Sequence, residues 1–215
     1  MRKRIFDMDG VFYTYGPEFN GLVSDAIARA ALKLGAKLSF EEATTLAKES
    51  YAKHRHSCRS FIQDHGLDEH DLYQTYHQEL DVTSIRPDVK MLNDFRHSSK
   101  PYRDHQVLLT QSVINWKDRV LAHLDIASCF KAAICSDEYN YKEKNRDSEP
   151  YLMALDALNA APAQTDFIDD TVANLQVAKA MGMRTFYIHH GKPLTLLPPG
   201  VDAQIAHPAI AYAYT

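Results

Sequence analysis

Short apolar runs that stop on polar or acidic residues and then give way to a helical pattern recur along this chain. That alternation limits the fold more than any other feature. Ile5-Phe6 runs into Asp7, Val107-Leu-Leu109 into Thr110-Gln-Ser112, and Phe167-Ile168 into Asp169-Asp170. Ala132-Ala-Ile134 and Thr185-Phe-Tyr-Ile188 predict two further strands. Helical patterns follow over Trp116 to Leu124, from about Glu149 to Leu158, and through Val172, Leu175 and Ala178 to Gly182. Fully apolar strands alternating with helices of this length imply an α/β fold, a Rossmann-like parallel sheet sandwiched by helices. Ligands of such sheets bind beyond the carboxyl ends of the strands, where these polar residues fall.

Between the first run and the rest lies a purely helical block. Phe19, Leu22, Val23, Ala26, Ile27 and Ala30 recur at helical spacing before a stop at Gly35. Ser39-Phe-Glu-Glu42 has the form of a capping box opening a helix with Ala43, Leu46, Ala47 and Tyr51. After a turn at Gly66-Leu-Asp68, Leu72, Tyr73, Tyr76 and Leu80 make one more apolar stripe. The expected organisation is an α/β core over 1–15 and 86–215, with 16–85 inserted as a helical cap.

The net charge of −4 gives no reason to expect a nucleic-acid polymer or an anionic membrane as partner. No apolar run approaches the roughly 20 residues of a membrane span, and the basic Met1-Arg-Lys-Arg4 leads into acids at Asp7 and Asp9, unlike a secretory leader. Cys58, Cys129 and Cys135 lack metal-ligand spacing, as reduced structural thiols of a cytoplasmic protein would. The expected partner is a small phosphorylated metabolite, met by a monomer or homodimer.

Asp7 and Asp9, two apart at a strand end, are expected to project to one side. Carboxylates that close repel unless a cation or a proton intervenes. Mg²⁺ suits an oxygen-only donor set. Gly10 lets the backbone approach a phosphate closely. By itself the motif also fits a solvated acidic loop, and Asp169-Asp170 also fits a helix N-terminus. Two acidic pairs on two strand ends of one sheet point instead to a hard-cation site. Thr110, with the amides of Gln111 and Ser112, is a candidate phosphoryl contact. Lys142, Lys144 and Arg146 are the candidates for a fixed positive charge.

In this order the elements resemble the haloacid dehalogenase superfamily. Asp7-Met-Asp-Gly-Val11 is similar to its first motif, Val107-Leu-Leu-Thr110 to its second, and Phe167-Ile-Asp-Asp-Thr-Val-Ala-Asn174 with Ala178-Lys-Ala-Met-Gly-Met183 to its fourth. Glu49-Ser-Tyr51, His65-Gly-Leu-Asp68, Tyr76-His-Gln-Glu-Leu-Asp81 and Ile85-Arg-Pro-Asp88 resemble the pyrimidine 5′-nucleotidase-like branch. The resemblance implies a Mg²⁺-dependent phosphoric monoester hydrolase working through an aspartyl-phosphate, with a nucleoside 5′-monophosphate as a candidate substrate. Asp7 would be the nucleophile and Asp9 the acid/base that also gives its carbonyl to the metal. Asp170 would be a metal ligand with Asp169 adjacent, and Gly10, Thr110 and Gln111 would meet the phosphate. The third-motif lysine is expected six residues before an aromatic and ahead of Pro-x-Pro. Asn145 stands six before Tyr151, the prolines are replaced by Arg146 and Ser148, and Lys144 is one residue out of register. Arg55-His56-Ser57 replaces the branch's Gly-Thr-Ser turn, within a basic stretch of Lys53, His54, Arg55, His56 and Arg59. A phosphomutase on sugar phosphates, or a catalytically impaired binding or regulatory protein on the same fold, are the alternatives.

Overall fold

The computed structural model describes residues 1–14, 16–54 and 56–214. Arg55, one of the basic candidates, lies outside the described residues. The chain divides into two compact units, Met1–Thr14 with Arg86–Thr215, and Tyr15–Ile85.

The first unit holds a six-stranded, wholly parallel sheet. Its strands are β1 (Lys3–Phe6), β2 (Gln106–Leu109), β3 (Ala132–Ile134), β4 (Thr165–Asp169), β5 (Arg184–Ile188) and β6 (Ala203–Ile205), in the order β3-β2-β1-β4-β5-β6. Strand order reverses at β1, which pairs β2 on one side (Phe6 with Leu108) and β4 on the other (Phe6 with Ile168). Such a reversal opens a crevice at the carboxyl ends of the strands. The three runs that end in Asp7, Thr110 and Asp169 therefore become neighbours.

Apolar residues run without alternation in these strands because both faces are covered. Ile5, Val107, Leu109 and Phe167 pack on one face with Tyr151, Leu155 and Leu175. Phe6 meets Phe95 and Phe130 on the other, with ring centroids 5.5 and 6.1 Å away. Two elements beyond the expected ones are β6 and the helix Val89–Ser99, which buries Met91, Leu92 and Phe95 at helical spacing behind an Asp88 N-cap. β6 is three residues long, of which only Ile205 is buried, too short to display a period.

The second unit is helical: α1 (Pro17–Lys33), α2 (Phe40–His54), α3 (Arg59–His65) and α4 (Glu69–Glu79). The Ser39–Glu42 box forms in both directions, Glu42 N donating to Ser39 Oγ at 3.2 Å and Ser39 N to Glu42 Oε2 at 2.7 Å. Gly66 ends α3 in the left-handed region at φ 67°. Ala26, Ile27, Ala30, Ala43, Ala47, Phe61 and Leu72 form the interior. Leu22 and Tyr51, expected on the buried stripes, lie at their margins and are exposed. The His56 ring nitrogen Nε2 meets the Tyr73 hydroxyl inside this unit.

Among the described residues no helix is long and apolar enough to cross a membrane. Cys58, Cys129 and Cys135 are free and buried.

Candidate active site

Asp7 follows β1 directly, and its amide prolongs the ladder by donating to Ile168 O at 2.9 Å. Its carboxylate is almost wholly buried and meets one cation. Lys144 Nζ donates to Asp7 Oδ1 at 2.6 Å, to Asp169 Oδ2 at 3.2 Å and to Leu109 O at 3.3 Å, so one ammonium touches the ends of β1, β4 and β2. The other two basic candidates are elsewhere. Lys142 pairs with Glu149, and Arg146 Nε lies 3.4 Å from Glu143 Oε2. The register difference noted in the sequence is absorbed by a turn, in which Arg146 N and Asp147 N both donate to Glu143 O. Tyr151, in the helix α7 that we number after α5 (Val89–Ser99) and α6 (Ile114–His123) and that spans Glu149–Leu158, donates its hydroxyl to Lys144 O at 2.8 Å.

The charges here are strongly coupled. Burial opposes the charged form of Lys144, but Asp169 and Asp7 outweigh it and its pKa is raised. Burial drives the Asp7 carboxyl well above the usual carboxylate range, against the pull of Lys144 and with the push of Asp169, Asp9 and Asp170. Burial and the neighbouring Asp169 push Asp170 up to about 7.

Asp169 is fully engaged. Its Oδ1 accepts from Thr171 N at 2.7 Å, and its Oδ2 accepts from Asn174 Nδ2 at 2.9 Å as well as from Lys144. Asn174 lies in α8 (Val172–Ala180). Carboxylate oxygens of Asp7, Asp169 and Asp170 lie within 4.8 Å of one another. An all-oxygen set of closely placed carboxylates is chemically suited to a hard divalent cation, which relieves their mutual repulsion.

The Asp9 carboxylate is not part of that cluster; the atom of Asp9 expected at a metal is its backbone carbonyl. The sequence predicts that Asp7 and Asp9 point to one side, but the backbone leaves the extended form after Asp7 and turns over residues 10–12. The two carboxylates consequently serve different groups. Asp9 Oδ2 accepts from Thr110 Oγ1 at 2.7 Å and Ser112 Oγ at 2.8 Å, while its Oδ1 faces Trp116 Nε1 at 3.4 Å and the Tyr13 hydroxyl. Thr110, expected at a phosphoryl oxygen, thus spends its hydroxyl proton on Asp9. The side chain of Gln111 is committed to the backbone of residues 142 and 144.

Several members of the site were not found in the sequence. Ser112 and Trp116 were read as amide donor and helix residue, and Asn174 as part of a motif without a role. His190, two residues past β5, obeys the same strand-end rule as the aspartates and was available to it. Its Nε2 meets Gly10 O at 2.6 Å. Burial lowers the pKa of His190 against the pull of that carbonyl, so the neutral ring donates Nε2–H.

Residues 5–182 match the family model described as haloacid dehalogenase-like hydrolase. The chain belongs to that family. Among curated relatives of this hydrolase is an N-acetylmuramic acid 6-phosphate phosphatase of Pseudomonas putida, 23% identical, with the alignment covering 97% of this chain and 93% of the relative. Solved structures with the same fold include a HAD phosphatase from Thermococcus onnurineus, with a TM-score of 0.65 and 20% identity, covering 100% of this chain and 97% of that one. The L-2-haloacid dehalogenase PA0810 also matches, with a TM-score of 0.60 and 19% identity, covering 100% and 99%. Phosphatase and dehalogenase share this fold, so the chemistry has to be argued from side chains.

Gly10, next to Asp9 in sequence, packs against Asp170. It has φ +82°, and a Cβ there would lie 2.2 Å from Asp170 Oδ2. Gly10→Ala is therefore expected to lower stability by about 1–2 kcal/mol through left-handed strain. Displacement of Asp170 would disturb the carboxylate cluster and should weaken divalent-cation binding there roughly tenfold. Thermal melts and calorimetric titration of Mg²⁺ check both effects; unchanged Mg²⁺ affinity would mean that Asp170 is not a ligand.

Proposed function

We propose that this hydrolase cleaves small phosphate monoesters by forming a covalent phosphoryl intermediate on Asp7. The observation that carries the reading is the Lys144 ammonium shared between Asp7 and Asp169, with Asp170 beside them. A dehalogenase needs a nucleophilic carboxylate but has no use for a divalent cation or for an acid at the second position, which here is Asp9, so Asp9 and Asp170 favour phosphoryl transfer.

The Asp7 carboxylate attacks phosphorus, and a bond from Asp7 to phosphorus forms as the bond to the leaving oxygen breaks. Asp9 enters the step as the protonated acid and gives its proton to that oxygen; it then takes a proton from the water that hydrolyses the acyl phosphate, which restores both Asp9 and Asp7. Lys144 holds Asp7 in place and offsets charge on the phosphoryl oxygens. A divalent cation, Mg²⁺ in this reading, would be held by Asp7 and Asp170 with Asp169 behind them, and would supply further positive charge. For Asp9 to act, its carboxylate leaves the hydroxyls of Thr110 and Ser112. A phosphoryl oxygen that accepts the Thr110 proton takes the place Asp9 gives up.

Within this reading a sugar phosphate is the first substrate class to test, because the curated relative carries that activity in its name. Nucleoside 5′-monophosphates, suggested by motifs in the helical unit, stand second. That unit is the part of the chain to which we assign choice of leaving group.

Hydrolysis of p-nitrophenyl phosphate should be abolished by EDTA and restored by Mg²⁺. Protons compete with the cation at Asp170, so about tenfold more Mg²⁺ per pH unit should be needed below about pH 7. Phosphate release from a panel of sugar phosphates and nucleoside monophosphates ranks the substrates. Hydrolysis indifferent to EDTA would remove the metal from the reading. Isomerisation of a sugar phosphate without phosphate release would replace the hydrolase with a mutase.

A further inference from the structure

We propose that Gln111 is a positioning residue whose side-chain amide clamps the loop carrying Lys144 and so sets the reach of that ammonium onto Asp7. Gln111 Nε2 donates to Lys142 O at 3.1 Å, and its Oε1 accepts from Lys144 N at 3.1 Å. A carbonyl at one residue and an amide two residues on are the pair that a neighbouring β-strand would engage. The glutamine thus takes the place of a strand beside the 142–144 stretch, just past the carboxyl end of β2.

The loop has reason to need such a partner. Residues 142–147 contain no proline, and Asn140 and Tyr141 just before them are both left-handed, at φ 53° and 58°. This stretch lies outside the helices and strands, and its turn closes through Glu143, whose O accepts from Arg146 N and Asp147 N and whose N donates to Asp147 Oδ2 at 3.1 Å. Lys144 itself is gripped from both sides. Its N–H goes to Gln111 and its C=O accepts from Tyr151, whose hydroxyl also lies 2.9 Å from Asn174 O. Tyr151 is buried in the core, so it fixes one edge of the residue to α7. Gln111 is half-buried and fixes the other edge to β2. With its backbone held between sheet and helix, the lysine side chain can span to Asp7, Asp169 and Leu109 O together.

The inference rests on the roles proposed above for Asp7 and Lys144, and its test separates the two. Gln111→Leu keeps the bulk and removes donor and acceptor. Misplacing a catalytic group by a fraction of an ångström is costly, so kcat for p-nitrophenyl phosphate should fall roughly tenfold while KM stays within about twofold. In a Lys144→Met background the same substitution should change kcat by less than about twofold, since the group it positions is gone. A second readout needs no turnover: acetylation of the intact protein with a water-soluble N-hydroxysuccinimide ester, followed by peptide mass spectrometry. Lys144, almost wholly buried, should be protected in the wild type and modified roughly tenfold faster in Gln111→Leu, as local opening controls access. Buried Lys117 serves as the internal control. An unchanged Lys144 rate overturns the inference, as does a loss of equal size in both backgrounds or one confined to KM, which would make Gln111 a substrate contact. If the wild type cleaves no monoester yet Lys144 becomes reactive in the variant, the phosphatase reading falls and the clamp stands.

Discussion

Asp7→Asn should reduce phosphate release from p-nitrophenyl phosphate by roughly 10⁴-fold or more, while the protein melts within a few degrees of the wild type. The amide fills the same space but offers no anionic oxygen to attack phosphorus. Its fold should tolerate the change for an electrostatic reason. Burial and three neighbouring carboxylates already disfavour the charge on Asp7, so its removal relieves repulsion as it loses the bond to Lys144. Lys144 keeps Asp169 at 3.2 Å and is not left unpaired. Steady-state kinetics and a thermal melt on the same preparation decide the matter. A folded Asp7→Asn protein that retains Mg²⁺-dependent turnover would show that another group attacks.

Lys144→Met should cost both activity and stability. Loss of a fixed charge at the transferring group is worth roughly 10²–10³ in kcat. Removing one partner of a buried ion pair typically costs about 3–5 kcal/mol, which for a chain of this length is a fall in Tm of roughly 10 °C. The pH dependence identifies the cause. Lys144 has a raised pKa and stays charged below its ordinary value, so its contribution is present throughout the neutral range. Asp7 and Asp170 have folded pKa values raised above their unfolded ones, and Asp170 titrates at about 7. Both therefore favour the folded state when protonated, and for Asp170 that benefit is lost as pH rises through about 7. Without Lys144 the metal-free variant should lose Tm steeply between about pH 5 and 8 and regain part of it with Mg²⁺. Equal melting of variant and wild type across that range would remove Lys144 from the charge balance of the site.

The parts of the site that were legible in the sequence are those set by short-range pattern. Ile5-Phe6, Val107-Leu-Leu109 and Phe167-Ile168 could be recognised as buried strands because both faces of a covered sheet demand apolar side chains, and their polar ends then mark the sheet's carboxyl edge. The Ser39–Glu42 box and the helix from Glu149 to Leu158 were legible because capping and helical spacing act within a few residues. The partners of Asp9 were not. Apart from Tyr13, those partners (Thr110, Ser112 and Trp116) lie about a hundred residues away, and nothing local distinguishes a threonine that donates to a carboxylate from one that waits for phosphate.

By itself, then, the sequence determined the strand–helix alternation and which residues stand at the strand ends, since side-chain burial writes that period into every element. Only the tertiary structure decided who meets whom. Placing β1 between β2 and β4 makes neighbours of Asp7, Thr110 and Asp169. The turn at Glu143, the Gln111 amide and the Tyr151 hydroxyl together bring Lys144, rather than Lys142 or Arg146, to Asp7. Those choices depend on the closure of a loop against distant elements, and the energy of that closure lies in contacts that no local stretch of sequence contains.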